Sequence, residues 1–317
     1  MIRKWYAATA VTTVLIGLGA AAGVASASPY QPTVAVGGAV LTPATYTRSA
    51  LAAMPQTTFS VTVPTWRGTR TETDQGVSLE SLVDASTPAL PPSAKNGLLT
   101  AIIAVRGRFG TQRTFALGEL DASFGDHPAY LALEEGGVPL YEPELVVPGD
   151  SNRARSVPDV SQIGVAIEDP AITAPAAVGG LVVQDGSRAT DLSPAELSAL
   201  PQQTLTVSFG GPSGVQSHTE TGPTLDEVLR AAHIWPDFNT WAAGVSGLDD
   251  YVATVTPAEA WVGGRPLLIS LVEDGKTFVS QGEGPRLVTD GDVKGGRYDT
   301  GLADLVVGDT QSHQWWW

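Results

Sequence analysis

A chain of 317 residues, 43% of them hydrophobic and 16% charged, can bury a large core, so extensive disorder is excluded; its length is about twice the ~150 residues of a common domain, and two domains are expected. With 18 Lys and Arg against 33 Asp and Glu, the formal net charge of −15 argues against affinity for nucleic acid or anionic membranes, both polyanions. The absence of cysteine removes disulfides, thiolate nucleophiles, iron–sulfur clusters and cysteine-held metals together, and four histidines leave little for a metal site.

At the start of the chain, Arg3 and Lys4 precede an apolar run from about Ala7 to Val24, which ends in the small residues Ala25, Ser26 and Ala27. That order is the pattern of a signal peptide over residues 1–27. The run approaches the length of a membrane anchor, but its Ala and Gly content and small-residue end favour cleavage. The mature chain is therefore expected to be secreted or extracytoplasmic, with no transmembrane anchor left after cleavage. Arg3 and Lys4 are not a twin arginine, which points to export of an unfolded chain. A cofactor assembled in the cytoplasm does not survive that route.

The mature sequence repeats itself. Leu51, Pro55, Gln56, Thr58 and Val61 recur as Leu197, Pro201, Gln202, Thr204 and Val207, and the offset of 146 positions holds through Gly76 and Leu79, which recur as Gly222 and Leu225. Farther on, with small gaps, Pro143, Leu145 and Val146 answer Pro285, Leu287 and Val288, Gly149 and Asp150 answer Gly291 and Asp292, and Arg155 answers Arg297. The spacing predicts two copies of one domain, residues 28–168 and 169–310, followed by a tail at 311–317 that carries Trp315, Trp316 and Trp317.

Each copy opens with a short helix, Arg48–Ala53 in the first and Pro194–Leu200 in the second, where Ser193, Pro194 and Glu196 form a capping box. An alternating strand follows at 58–63 and at 204–209, then a polar loop, then a second short helix at 79–83 and at 225–232. Apolar strands are expected at 98–105, 251–256, 266–272 and 302–307. With 35 glycines and 23 prolines, the strands must be short and the turns frequent, which reads as α+β built into a small barrel or sandwich.

Asp249, Asp250 and Tyr251, then Glu273, Asp274 and Gly275, then Gly284 through Val288, then Gly295, Gly296 and Arg297 occur in an order that resembles the molybdopterin-binding domain of sulfite-oxidase-type oxidoreductases. The first copy carries a more worn version, Glu142 through Asp150. The resemblance implies two tandem copies of that domain, mostly short β-strands with small helices. It also implies a cysteine just after the Thr-rich strand as the thiolate ligand of molybdenum, yet the matching stretches, Pro64 to Arg67 and Gly210 to Ser213, contain none.

Two kinds of residue stand out as candidates. Arg67, Arg70, Arg106, Arg108, Arg113, Arg153 and Arg155 fall in expected loops of the first copy, with Arg286 and Arg297 in the second, and guanidinium forks suit a phosphate or carboxylate. The competing reading pairs them with the chain's own carboxylates. His218, with Glu72 at the same place in the first copy and with Asp74 and Glu220 nearby, is a weak candidate for acid–base work, against the reading of a solvated loop histidine. Trp66 is a candidate to fill the place of the absent thiolate. The stretch from Asp290 to Gly295 begins like a calcium loop, but Lys294 stands where an oxygen ligand is needed, so no metal is expected. Trp315, Trp316 and Trp317 dock on the domain or engage a secreted or cell-surface partner. The function expected is a non-redox ligand-binding or structural module without cofactor; the alternatives are an oxidoreductase that holds molybdopterin without a cysteine, and an enzyme using His218 and nearby carboxylates. Any small-ligand site is expected in one copy only, because the loops and charges of the two copies differ.

Overall fold

The strand Ala101–Gly107 shows how the sequence builds the centre of the fold. It is apolar on both faces: alternate residues Ala101, Ile103 and Val105 enter one core, while Ile102 and Ala104 enter another. The computed structural model describes residues 31–311 apart from 93, 170, 171, 174, 176, 212 and 213, and apart from the side chains of 63–65. The expected signal peptide and the Trp315–Trp317 tail lie outside the described residues.

The architecture is mixed α+β, mostly strands with few helices, arranged in several small sheets. One five-stranded sheet runs in the order Ala44–Thr47, Thr33–Gly38, Val160–Ile167, Ala101–Gly107, Gln112–Ala116. A second runs Arg188–Leu192, Leu181–Asp185, Leu302–Asp309, Thr240–Ser246, Val252–Val255. In each, the first and last strands of its stretch of chain pair in parallel, and the remaining pairs are antiparallel.

Against these sheets stand two long hairpins. Thr57–Thr65 pairs with Gly68–Ser78, and Gln202–Gly211 with Gly214–Pro223. The stretches expected as polar loops are therefore the second strands of hairpins. Their residues are polar on both faces, because Glu72, Asp74 and Glu220 point inward, so no apolar alternation betrays a strand. The short helices lie close to their expected places, at Arg48–Ala52, Leu79–Ala85, Pro194–Ala199 and Leu225–Ala231. The capping box of Ser193 and Glu196 is formed, and Leu225, Val228 and Leu229 bury one helical face at the i, i+3, i+4 spacing.

Two large cores result, one around Leu79, Ile103, Phe115 and Val165 and one around Leu225, Ala242, Leu287 and Leu305. A third, smaller core joins Ile102 and Ala104 to Trp241, Ala243 and Val245, so the fourth strand of one five-stranded sheet packs across it against the fourth strand of the other. Buried hydrogen bonds cross the same boundary: Gln112 Nε2 donates to Thr310 Oγ1 (2.7 Å), and Thr254 Oγ1 donates to the Leu99 carbonyl (2.8 Å). The described residues from Pro32 to Gln311 form one compact body. No helix among the described residues is long and apolar enough to cross a membrane.

Candidate functional site

The two arginines at matching places, Arg155 and Arg297, are fully buried, each on a one-turn 3-10 helix. Arg155 donates through Nε (2.8 Å) and Nη2 (2.5 Å) to the two oxygens of Asp150, and through Nη1 to Glu119 Oε1 (2.6 Å). Arg297 repeats the pattern with Asp292 (2.9 and 2.6 Å) and Glu259 (2.7 Å). Each guanidinium thus forms a bidentate fork on the aspartate five residues before it and a third bond to a more distant glutamate. Loop positions are expected for the first-copy arginines; Arg155, like Arg297, instead sits buried on a 3-10 turn, where desolvation strengthens the bidentate fork. Asp292, from the stretch that begins like a calcium loop, is engaged here.

The two triads share one buried cluster. Burial pushes the Glu259 carboxyl up to about 7, with the nearby Glu119 charge adding to it, and burial likewise raises Glu119. Against its own burial, the hydrogen bond from Arg155 and contact with His127 hold Asp150 below the usual carboxylate range. His127 is 4% exposed, with Nε2 3.3 Å from Asp150 Oδ1; neither ring nitrogen makes a hydrogen bond among the described residues. Glu119 and His127 escaped the sequence reading because nothing in their local sequence marks them; Glu259 ends the capping-box sequence Thr256-Pro257-Ala258-Glu259, which marks a helix start and not an ion pair, and the two glutamates fall 140 rather than 142 or 146 positions apart.

His218 lies in the second strand of its hairpin rather than in a loop, across from Val207, as Glu72 lies across from Val61. Its Nδ1 is 3.0 Å from Asp274 Oδ2 and 3.4 Å from Glu273 Oε1. A backbone bond from Thr219, then the His218 contact, hold Asp274 below the usual range. Glu220 is buried beneath, accepting from Arg286 Nη1 (2.9 Å) and Ser270 Oγ (2.7 Å), and Arg286 also reaches Glu273. The structure therefore brings His218, Glu220 and Arg286 into one network, in which Arg286 Nη1 is met by two carboxylates and Nε by the Thr300 hydroxyl.

In the first half, Glu72 and Asp74 line a groove of about 790 Å³ with Arg70, Glu134 and Glu135. Arg70 is bonded to Glu72, Arg153 bridges Glu135 (3.0 Å) and Glu144 (3.2 Å), and burial raises both Asp74 and Glu144. The remaining candidates are scattered. Arg67 lies over the ring of Trp66 (4.1 Å) at the hairpin tip, Arg108 meets Glu142 (2.8 Å), Arg106 is the last residue but one of the strand Ala101–Gly107, and Arg113 donates to the Ala154 carbonyl (2.5 Å). Trp66 is 86% exposed and fills no pocket.

A molybdenum–pterin group would need a soft ligand and cations able to receive its phosphate. The hairpin tips offer no thiolate, Arg155, Arg286 and Arg297 are held by carboxylates, and the groove in the first half is acidic. These residues do not fit the group.

No family model matches the chain, and no curated protein matches it. Among solved structures, the sulfane dehydrogenase SoxCD from Paracoccus pantotrophus is similar over 86% of this chain and 77% of its own, at 14% identity and a TM-score of 0.34.

Proposed function

We propose that the chain is an exported, non-redox ligand-binding protein made of two copies of a sulfite-oxidase-type domain, residues 28–168 and 169–310, whose cofactor chemistry is gone. The observation that carries this reading is the fate of the matching arginines: Arg155 and Arg297 are turned inward, each held by two carboxylates, where they join elements of the fold instead of receiving an anion. The like strand orders of the two five-stranded sheets support the duplication. The leader-like sequence before Ala27 supports export, and the missing thiolate at both hairpin tips supports the loss of redox chemistry. Trp315 to Trp317 would serve a secreted or cell-surface partner.

Native mass spectrometry of the protein secreted by its own host tests the reading. The expected mass is that of the bare chain beginning at Ser28. A mass excess of molybdenum–pterin size, lost on denaturation, overturns it.

A further inference from the structure

Where the two halves meet, a cleft of about 340 Å³ is lined by Lys95 and Asn96 from one side and by Ser246, Asp249, Tyr251 and Asp299 from the other. Asp299 is 2% exposed, and its carboxyl makes no hydrogen bond or ion pair among the described residues; Oδ2 is buried beside the bare Cα of Gly244. A buried carboxyl without a partner is costly, and the fold does not call for one here. Asp299 pairs with Leu287 just as Val157 pairs with Leu145, each residue 142 positions from its counterpart, and Val157 is an ordinary fully buried valine. One half therefore carries an acid on a cleft wall where the other carries core.

Of the other polar groups of the cleft, the buried Tyr298 hydroxyl makes no hydrogen bond among the described residues, and Tyr251, Asn96 and Ser246 are bonded. Tyr251 Oη donates to the Gly296 carbonyl (2.6 Å) and accepts from Asn96 Nδ2 (3.0 Å), while Ser246 Oγ donates to the Thr300 carbonyl (2.9 Å) and accepts from Leu248 N (3.2 Å). Asp249 stands 4.0 Å from the exposed Lys95 ammonium, which leans over the Tyr251 ring at 5.5 Å. What the cleft leaves unmet is the Asp299 carboxyl, which can only accept when ionised, and the Tyr298 hydroxyl, which can also accept, so a donor suits both.

We infer that this cleft binds a small ligand through a primary ammonium group seated against Asp299, with Asp249 as the second carboxylate. The inference rests on the ligand-binding reading above and gives that ligand its chemical class. Binding forms one N–H⁺···⁻O₂C pair, and where Asp299 is protonated its proton passes to solvent. Burial, then the Asp249 charge, push Asp299 up to about 8, so ammonium binding strengthens as pH rises toward that value. Asp249, Lys95, Tyr251 and Tyr298 are the other titratable groups facing the cleft; burial pushes both tyrosines upward, away from that range.

An NMR titration of the full chain with n-butylammonium, and with n-butanol as the uncharged counterpart, tests the inference. Expected are saturable shifts at the Gly295 and Gly296 amides with the ammonium and none with the alcohol, binding about tenfold or more weaker in Asp299→Asn, and tighter binding at about pH 8.5 than at about pH 6.5. Asp249→Asn, at a half-exposed position, is expected to weaken binding severalfold and keeps the test open should Asp299→Asn fail to fold. No saturable shift with the ammonium, equal shifts with the alcohol, or undiminished binding in both variants overturns the inference. Cofactor content is read separately by the native mass, so a silent titration removes the ammonium site while leaving the non-redox reading standing.

Discussion

Arg155 and Arg297 are each packed against a glycine of the opposite half. Nη2 of Arg155 lies 3.2 Å from where a Cβ on Gly263 would stand, and Cδ of Arg297 lies 2.9 Å from where one on Gly118 would stand. Each arginine side chain thus runs to its carboxylates through space that a Cβ on the facing glycine would crowd. In Gly118→Ala the new methyl would also meet Leu99 Cδ2 at 2.6 Å, in a core with no room to yield. The variant is expected to lose about 1–3 kcal/mol, read as a lower urea midpoint with an unchanged slope.

Removing Arg297 alone is expected to be worse than removing it together with the charge of Glu259. In Arg297→Met, Glu259 and Asp292 stay buried without their cation, at an expected cost of about 3–5 kcal/mol. Adding Glu259→Gln to that variant removes one uncompensated charge and is expected to recover part of the loss, as a positive coupling in a double-mutant cycle. Additive losses would mean that the triad does not act as a unit.

The pH dependence of stability follows from the raised carboxyls. Burial pushes Glu259 and Glu168 up to about 7 and, with Asp121 nearby, Glu80 as well; Asp299 goes up to about 8. Each holds its proton more tightly in the folded chain than in the unfolded one, where carboxyls titrate near about 4. The stability they contribute is complete below that value and is lost as pH rises through about 7 to 8. Glu80 and Glu168 are partly exposed and weigh less. Melting temperature is expected to fall between about pH 5 and pH 8, and Glu259→Gln to flatten that slope. A flat profile in the parent protein would mean that these carboxyls are ionised throughout.

The short helices, the Ser193 capping box and the central apolar strands were legible because each rests on local chemistry: a cap, a period or an unbroken apolar run. The second strands of the hairpins were not, since Glu72, Asp74 and Glu220 occupy inward positions that sequence reading reserves for apolar residues. Arg155 and Arg297 stood out by repetition, but their burial depends on Glu119 and Glu259, brought in from 36 and 38 residues away. Asp299 did leave a signal, a carboxylate set where the other half has valine, and it becomes readable once strand pairing aligns the two positions.

The correspondence between the halves can be tested at Gly76 and Gly222, 146 residues apart. A Cβ on Gly76 would overlap the Leu131 carbonyl oxygen, and one on Gly222 the Ile269 carbonyl oxygen, so both hairpins cross their neighbouring strand at a glycine for the same steric reason. Backbone oxygens cannot rotate away as a side chain can. Each Gly→Ala substitution is expected to cost about 1–3 kcal/mol. The two sites share no contacts, so the double variant is expected to lose the sum within about 0.5 kcal/mol, in a single urea transition. One transition follows from the core of Ile102, Ala104, Trp241 and Val245 and from the buried Arg155 and Arg297 cluster, which make neither half complete alone. Two transitions, each moved by only one of the substitutions, would mean that the halves unfold independently and that the cluster does not couple them.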